Sequence, residues 1–409
     1  MQTTLSPDFT GTPEGIEAEA ILRKCVHCGF CNATCPTYQL LGDELDGPRG
    51  RIYLIKEMLE GGEVTQRTQQ HLDRCLTCRN CETTCPSGVR YGHLVEIGRE
   101  LVEQRVGRPL RARAVRWLLK EGLTSPLFAP AMKIGRLLRP LLPAALRNKV
   151  PSDDRTALGY FEPREHRRKV LLLRGCVQPA MRPEIHRATR RVLDAAGIQT
   201  VFAADEGCCG ALRTHLADRE GGLADMRRNV DAWWPMVSGG MVEAIVINAS
   251  GCSQMVKEYA RALRHEPAYA QRAAHIVSMT RDLCELLPEL ALALKDRVDA
   301  RGAPRLALHA PCTLQHGQRV SGVDAQLRAL GFEVRQPQES HLCCGSAGTY
   351  SVLQPALANS LRDRKLAHLD ALTPECIVSA NIGCIQHLAG GTATPVKHWI
   401  EVLDEALIG

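Results

Sequence analysis

The chain has 409 residues, of which 44% are hydrophobic and 18 are cysteine, and its formal net charge is +6. This length predicts two or three domains with buried cores. Residues 1–15 show neither the basic nor the apolar region of a signal peptide, and no apolar stretch approaches the ~18 residues that span a bilayer. We therefore expect a cytoplasmic protein, or one peripheral to the inner face of the cytoplasmic membrane. In that reducing compartment, clustered cysteines indicate metal binding rather than disulfides.

Two segments carry the same cysteine motif, C-x2-C-x2-C-x3-C-P. This spacing is typical of bacterial ferredoxins that hold two [4Fe–4S] clusters, in which the fourth cysteine of each motif binds the other cluster. The predicted ligands are Cys25, Cys28, Cys31 and Cys85 for cluster 1, and Cys75, Cys78, Cys81 and Cys35 for cluster 2. Zinc is the alternative, because paired C-x2-C units also form zinc sites. The repeated third cysteine and the C-P ending favour iron–sulfur clusters and predict an electron carrier.

Residues 1–105, which contain both motifs, are expected to form a mostly helical domain. The 39 residues between Cys35 and Cys75 are too many for a compact hairpin ferredoxin. They contain a Gly-Pro turn followed by an amphipathic run from Ile52 to Leu59, which predicts a helix that stops at two glycines. Apolar residues between Leu94 and Val102 predict a second helix after Cys85.

Residues 106–165 form a basic connector broken by prolines. Between Arg108 and Lys149 there are ten Lys and Arg residues against one acid, Glu121. The apolar residues of this segment predict short amphipathic helices, which could lie on anionic lipid or dock a partner. A solvated linker with helical turns is the alternative. Nucleic-acid binding is not expected, because aromatic residues are scarce and no recognition motif accompanies the charge.

From Val170 onward the sequence contains an internal repeat, which we divide into residues 166–265 and 266–409. In each copy a short apolar strand precedes a cysteine (Cys176 or Cys312), a helix follows, and a Cys-Cys-Gly triplet precedes another strand and a final cysteine (Cys252 or Cys384). Strands that alternate with helices predict parallel-sheet α/β units. The fold class is therefore an α+β multi-domain protein, with a helical two-cluster domain followed by a duplicated α/β domain.

The repeats supply eight further cysteines as candidate metal ligands. Because the carboxyl ends of parallel strands meet at one sheet edge, the four cysteines that follow predicted strands should converge there, namely Cys176, Cys252, Cys312 and Cys384. An iron–sulfur cluster, structural zinc and metal-free thiols remain open, since the spacing does not separate zinc from iron. The residues are Cys176, Cys208, Cys209 and Cys252 in the first copy, and Cys312, Cys343, Cys344 and Cys384 in the second.

The spacings C-x31-CC-x42-C and C-x30-CC-x39-C resemble the CCG domains of the heterodisulfide reductase B subunit. The resemblance implies further iron–sulfur clusters, and it raises a thiol or disulfide reductase as an alternative function. That family's pattern ends in C-x2-C, whereas this chain has Met255 and His387 at the last position. His387 could serve as a fifth ligand or have a purely structural role.

Taken whole, the chain resembles the iron–sulfur subunits of bacterial glycolate dehydrogenase (glycolate oxidase). The matching runs are residues 25–31, Tyr38–Tyr53, Leu72–Ser87, Asp231–Pro235 and His341–Tyr350. The resemblance implies an electron-transfer subunit that is not itself catalytic, beside flavoprotein subunits that oxidise glycolate to glyoxylate. Flavin is expected only on those partners, because the chain has neither a dinucleotide-binding motif nor a Walker A motif.

Related families share this architecture and provide the alternative functions. They are the iron–sulfur subunit of anaerobic glycerol-3-phosphate dehydrogenase and the lactate-utilisation proteins. In each case the clusters would pass electrons toward a quinone or another acceptor.

Overall fold

The computed structural model describes residues 1–141, 150 and 164–408. The part of the predicted connector at 142–149 and 151–163 lies outside the described residues. None of the helices in the described part of the chain has the length and apolar character needed to cross a bilayer.

The N-terminal domain is helical, as the amphipathic runs predict. Its core is formed by the apolar faces of the longer helices, with Leu22, Ile55, Leu59 and Leu94 fully buried. Its helices are Pro13–Lys24, Phe30–Ala33, Pro36–Leu41, Pro48–Leu59, Gln66–Asp73, Asn80–Thr84 and Tyr91–Arg105, with a 3-10 turn at Glu44–Asp46.

Two four-stranded parallel sheets follow. The strands are β1 (Arg168–Leu172), β2 (Ile198–Val201), β3 (Ala244–Ile247), β4 (Thr280–Asp282), β5 (Leu306–His309), β6 (Val334–Arg335), β7 (Cys376–Ser379) and β8 (Val396–His398). The first sheet has the order β2-β1-β3-β4 and the second the matching order β6-β5-β7-β8. In β1–β3 register, Val170 lies opposite Ala244, and in β5–β7 register, Leu306 lies opposite Cys376. The predicted α+β multi-domain fold with a duplicated α/β unit is confirmed.

Helices connect and cover the strands. In the first unit they are Gln178–Met181, Pro183–Ala195, Ala211–His215, Arg219–Ser238, Ser250–Lys257, Tyr259–Ala262, Ala270–Met279 and Leu283–Leu294. In the second they are Val323–Ala329, Tyr350–Leu353, Pro355–Asp370, Ile382–Ala389 and Trp399–Glu405, with a π-helical turn at Thr313–Gln318.

The sequence did not predict the fourth strand of either sheet. Each has only three residues, and β4 reads Thr-Arg-Asp, so neither shows the apolar run by which the other strands were found. Because β4 pairs in parallel with β3, the first sheet extends into the range 266–409 that the sequence analysis gave to the second repeat.

The two α/β units share one hydrophobic core. Helix Pro183–Ala195 of the first unit packs against Trp399–Glu405 of the second, and Leu283–Leu294 packs in the same way against Val323–Ala329. The two helix pairs are equivalent under exchange of the repeats, so the units form an internal pseudo-dimer. This arrangement turns the carboxyl ends of both sheets toward one another, and the Ser250 amide donates to the Ala380 carbonyl at 3.0 Å.

The basic connector begins as two helices, Leu110–Thr124 and Phe128–Leu137. Ion pairs fix the inner face of the first helix to both neighbouring domains. Arg116 pairs with Asp73 of the N-terminal domain, and Lys120 pairs with Asp218 of the first α/β unit, each at 3.0 Å. The described part of the connector is therefore an ordered bridge rather than a solvated linker.

A charged network joins the N-terminal domain to the first α/β unit. Glu258 accepts a hydrogen bond from Arg79 at 2.7 Å and lies 3.0 Å from His93 Nε2. Glu17 lies 3.4 Å from His93 Nδ1 and accepts a hydrogen bond from Arg261 at 3.0 Å. Burial opposes protonation of the imidazole, but its hydrogen bonds to Glu17 and Glu258 prevail and raise the pKa of His93.

We expect Glu258→Gln to lower the free energy of unfolding by about 3 kcal/mol, because Arg79 and His93 remain buried without the carboxylate. In the unmodified chain, the stability contributed by His93 is fully present below the ordinary pKa of 6.5. It is lost as the pH rises through the raised pKa of the folded state. Thermal unfolding at a series of pH values measures both the destabilisation and the smaller pH dependence expected of the variant.

Glu243→Gln is the matched control, because Glu243 pairs with Arg168 at an exposed position. It should change the stability by less than about 1 kcal/mol. Equal losses for the two variants would contradict a special role for the buried network.

Candidate metal centres

The two ferredoxin-type loops have the same backbone conformation. His27 and Thr77, each two residues after the first cysteine of a motif, have positive φ angles of 57° and 53°. Gly29 and Arg79, each directly after the second cysteine, also lie in the left-handed region at 84° and 58°. A non-glycine residue adopts this region at a cost in free energy, so its recurrence at equivalent positions indicates a shared requirement of the loop. The requirement is to wrap three closely spaced thiols around one centre.

The loops face each other across a local pseudo-twofold axis. Helix Phe30–Ala33 packs against helix Asn80–Thr84, and the hydroxyl oxygens of Thr34 and Thr84 are 3.0 Å apart. Each threonine directly precedes the fourth cysteine of its motif, so Cys35 and Cys85 leave the axis in opposite directions. The structure places Cys85 beside Cys25, Cys28 and Cys31, and it places Cys35 beside Cys75, Cys78 and Cys81. All eight are free cysteines, so two separate sets of four thiols are available, as two cubane clusters require.

The first group of thiols, Cys25, Cys28, Cys31 and Cys85, lies close to the surface. Cys28 is exposed, and the neighbouring side chains of Val26 and Phe30 are 69% and 61% exposed. Arg49 lies against the same loop and forms an ion pair with Glu44 at 2.6 Å. A partner protein can therefore approach this group closely.

The second group of thiols lies deeper, beside a cationic side chain. Of its four members, Cys35, Cys75 and Cys81 are buried and Cys78 is half-buried. Arg51 is 1% exposed and donates hydrogen bonds to the His71 carbonyl and the Thr37 hydroxyl. Burial alone would raise the pKa of Cys75, but the adjacent Arg51 and Arg99 guanidinium groups lower it below its usual value. Arg51 thus favours negative charge on these sulfurs. The sequence had left open whether Arg49 and Arg51 cap a helix or balance the charge of a cluster.

In the first α/β unit four thiols converge at the carboxyl edge of the sheet. Cys176 follows β1, Cys252 lies in the first turn of helix Ser250–Lys257, and Cys208-Cys209 forms the connecting turn. Cys176 Sγ and Cys208 Sγ are 3.5 Å apart, and Cys209 contacts both Cys208 and Cys252. We call this set, Cys176, Cys208, Cys209 and Cys252, the first cysteine tetrad.

The second α/β unit repeats this arrangement. Cys312 Sγ and Cys343 Sγ are 3.8 Å apart, and Cys344 contacts both Cys343 and Cys384. We call this set, Cys312, Cys343, Cys344 and Cys384, the second cysteine tetrad. In both units the glycine after the cysteine pair has a φ angle near 90°. A side chain at this glycine would collide with a helix. A Cβ atom added to Gly210 would lie 2.9 Å from the Gly222 carbonyl oxygen, and one added to Gly345 would lie 2.5 Å from the Ala358 carbonyl oxygen. Only glycine lets this turn approach so closely.

Two cationic or metal-binding side chains accompany the second tetrad. Lys365 is 2% exposed, donates to the Glu339 carbonyl at 2.6 Å, and lies near the Cys343 and Cys344 sulfurs. His309 is fully buried at the end of β5, and one of its ring nitrogens lies within 4.8 Å of the Cys344 and Cys384 sulfurs. Sequence motifs did not point to either residue, because neither lies within the cysteine spacing.

Met255 and His387 stand where the resembling family has the last cysteine of its C-x2-C pattern, and both are packed into the protein interior. Met255 is buried in the hydrophobic core of the first unit. His387 is also buried, and its Nε2 lies 3.0 Å from the Ala358 carbonyl oxygen, which it can only contact as a donor. This hydrogen bond gives His387 a structural role in the helix packing.

A cavity of about 790 Å³ lies between the two tetrads. One wall is formed by the inner, apolar faces of the two connector helices. The lining includes Cys176, Cys208, Cys209, Cys252, Cys312, Cys343 and Cys384, together with Leu119, Leu123, Phe128 and Met132. Seven of the eight cysteines therefore line one space, and they include the four that the strand-end argument predicted to converge.

The buried ferredoxin-type group lies directly beside the second tetrad. Cys78 is close enough to Cys312 and Cys343 for their charges to interact, and Leu76 and Tyr350 pack around the contact. Across the same interface, Asn80 donates to the His341 carbonyl, and the Tyr350 hydroxyl donates to the Arg74 carbonyl. Because Cys81 also lines the surface pocket formed by the first group, thiol groups extend from the surface at Cys28 to the second tetrad.

A dicluster ferredoxin domain joined to a duplicated cysteine-rich α/β domain defines a class of iron–sulfur electron-transfer proteins. Residues 21–89 match the family of 4Fe-4S dicluster domains, and residues 170–257 and 306–389 match the cysteine-rich domain family. The N-terminal domain accordingly carries two [4Fe–4S] clusters, and the chain is the electron-transferring component of an oxidoreductase complex.

Comparison with whole proteins narrows this class to one family. The chain is 52% identical, over all 409 of its residues and 99% of the relative, to the glycolate oxidase iron-sulfur subunit of Escherichia coli. It is 30% identical, over 91% of the chain and 89% of the relative, to the probable glycolate oxidase iron-sulfur subunit of Bacillus subtilis. Lactate utilization protein A of Bacillus licheniformis is 26% identical over 58% of this chain and 99% of the relative. The chain belongs to the family of glycolate oxidase iron–sulfur subunits.

Arg51 and Arg49 provide a matched test of the buried charge. We expect Arg51→Gln to shift the reduction potential of one cluster to more negative values by tens of millivolts, because a buried positive charge near its sulfurs is lost. The same change should lower the free energy of unfolding by about 3 kcal/mol, since Asp46 loses a buried partner. A redox titration followed by electron paramagnetic resonance, together with thermal unfolding, measures both.

Arg49→Gln should leave the stability almost unchanged, because Arg49 is partly exposed and pairs with a surface carboxylate. If R51Q left both cluster potentials at their original values, Arg51 would have no electrostatic role in the cluster environment.

Proposed function

We propose that this chain is the electron-transfer subunit of a complex that oxidises glycolate to glyoxylate on partner flavoprotein subunits. Oxidation of a 2-hydroxy acid releases two electrons and two protons, which an organic cofactor such as flavin accepts together. The [4Fe–4S] clusters of this chain then carry the electrons singly toward a quinone or another acceptor. The observation that carries this proposal is the succession of thiol groups from the exposed Cys28, through the pocket that it shares with Cys81, to the contact between Cys78 and Cys312.

We propose the ligand sets that the local pseudo-symmetry supports. Cluster 1 is held by Cys25, Cys28, Cys31 and Cys85, and cluster 2 by Cys75, Cys78, Cys81 and Cys35. Each cysteine tetrad of the α/β units is proposed to hold a further metal centre, iron–sulfur or zinc. Support comes from the four converging thiols in each unit and from the glycine that lets the turn approach them.

The direction of electron flow follows from exposure. The exposed Val26 and Phe30 beside Cys28 give the flavoprotein partner an apolar surface to contact near cluster 1. Cluster 2 lies inside the domain interface, where Cys78 adjoins the second tetrad. Electrons therefore enter at the first group and leave toward the cavity between the tetrads.

Substrate specificity of the complex is tested by anaerobic visible spectroscopy on the chain with its co-purified partners. Glycolate, D-lactate and glycerol 3-phosphate are added in turn. Glycolate should bleach the cluster absorption, and glycerol 3-phosphate should bleach it weakly or not at all. Stronger bleaching by either of the other two substrates would assign the complex to a lactate or glycerol-3-phosphate dehydrogenase. Absence of bleaching by all three, with clusters and flavin intact, would favour the disulfide-reductase alternative.

Cys28→Ser and Cys78→Ser should each remove about half of the ferredoxin-type iron, because each cysteine is assigned to a different cluster. Each variant should also abolish most of the glycolate-dependent reduction of an external acceptor. Cys284→Ser is the control, since Cys284 is a core cysteine outside both tetrads. Full activity of C28S and C78S would contradict the relay, and loss of all iron in either variant would contradict separate ligand sets.

We further propose that the outer face of the connector helices contacts an anionic membrane surface on the cytoplasmic side. Trp117 and Leu118 are 61% and 62% exposed on helix Leu110–Thr124, and Leu137 is 80% exposed on Phe128–Leu137. Arg111, Arg113 and Lys133 are exposed on the same two helices, whereas Glu121 is paired with Arg213. Apolar side chains flanked by unopposed positive charge match the chemistry of anionic headgroups over an acyl layer.

Sedimentation with vesicles tests this contact on the full complex. Binding to vesicles that contain phosphatidylglycerol should exceed binding to pure phosphatidylcholine, and it should fall at high salt. Trp117→Ser with Leu118→Ser should weaken it about tenfold or more, given the apolar area withdrawn from lipid. The control is Leu292→Ser, which removes an apolar side chain that is 80% exposed elsewhere on the protein. Equal binding to both vesicle types, or loss of the flavoprotein partner from the double variant, would overturn the membrane assignment.

A further inference from the structure

His309 is an isolated imidazole inside the second α/β unit. It is 1% exposed, and neither ring nitrogen has a hydrogen-bond partner among the described residues. A buried polar group without a partner costs the free energy of removing it from water, so native proteins rarely keep one without a reason. The residue stands at the end of β5, three positions before Cys312, where packing alone would favour an apolar side chain.

The first α/β unit shows what packing alone requires at this position. The equivalent residue, three positions before Cys176, is Leu173, which is 2% exposed and belongs to the hydrophobic core. The two tetrads are otherwise alike in their four cysteines, in the strand ends that carry them and in the positive φ of Gly210 and Gly345. The imidazole is therefore a specific difference between two related sites.

The position of the ring supplies the reason for this difference. One ring nitrogen of His309, the Cys344 sulfur and the Cys384 sulfur all lie within 4.8 Å of one another. A single ion with ligand bonds of about 2.0–2.3 Å can be reached from three such atoms after small side-chain movements. Cys343, which contacts Cys344, brings a further thiol to the same place.

We propose that His309 is a metal ligand of the second cysteine tetrad. This inference rests on the proposed metal-binding role of that tetrad and adds a nitrogen ligand that the first tetrad lacks. Imidazole is an ordinary ligand of zinc, and in some iron–sulfur centres it replaces thiolate and raises the potential. The cysteine spacing had directed attention to His387, but the Nε2 of that residue contacts the Ala358 carbonyl oxygen. The two tetrads thus differ in donor set, with four thiolates in the first and thiolates plus one imidazole in the second.

The test compares His309→Leu, which installs the residue of the first repeat, with the unmodified full-length protein. Metal analysis, X-ray absorption at the iron and zinc edges, and pulsed electron paramagnetic resonance of the reduced protein give readouts independent of activity. We expect H309L to lose the nitrogen ligand signal, and with it up to one metal centre per chain, while the clusters of the N-terminal domain remain. His309→Cys should retain the metal but not the nitrogen signal.

His387→Gln is the matched control, because an amide can still donate to the Ala358 carbonyl, and it should leave the nitrogen signal unchanged. An unchanged nitrogen signal in H309L, or its loss in H387Q alone, would overturn the ligand assignment while leaving the tetrad as a metal site. If Cys344→Ser left the metal content and spectra of the chain unchanged, the metal-binding role of the tetrad would fail, and the assignment of His309 with it.

Discussion

The arrangement of the whole chain depends on one domain interface, at which Cys78 of the helical domain lies beside Cys312 and Cys343 of the second α/β unit. The helical domain and the α/β units each have their own hydrophobic cores. The proposed transfer of electrons between them requires that they dock in a single orientation. Two sets of contacts among the described residues fix this orientation. Leu76 packs against Tyr350 on one side of the interface, and Glu258 binds Arg79 and His93 on the other.

Ion pairs define the orientation of the N-terminal domain on the first α/β unit more narrowly than an apolar contact would. Glu258 and Glu17 each contact more than one cation, and these partners come from both domains. Breaking one such pair leaves a buried charge without compensation, so a rotated docking arrangement is strongly disfavoured. The same principle acts within the N-terminal domain, where Arg51 and Asp46 stabilise each other and Arg51 also lies beside sulfurs that must carry negative charge.

The two α/β units share one arrangement of strands and helices, but they differ in the residues that surround their cysteine tetrads. Equivalent helix pairs join the two units into a pseudo-dimer, which turns both sheet edges toward one cavity. Such symmetry would supply two identical centres. His309 stands where the first unit has the core residue Leu173, and the buried Lys365 lies near the Cys343 and Cys344 sulfurs. The surroundings of the second tetrad therefore differ from those of the first. The second tetrad is also the one that adjoins the ferredoxin-type thiols at Cys78.

The sequence by itself determined the cluster type, the α/β repeat and the cysteines that converge in it, because each of these depends on short-range spacing or on hydrophobic periodicity. It also pointed to the family, through motifs that fix local loops. The tertiary structure alone decided that β4 completes the first sheet, that Arg51 rather than Arg49 lies beside the buried thiols, and that His309 rather than His387 approaches the second tetrad. These features depend on contacts between residues far apart in the chain. No local pattern records such contacts, because only the packing of strands and helices brings those side chains together.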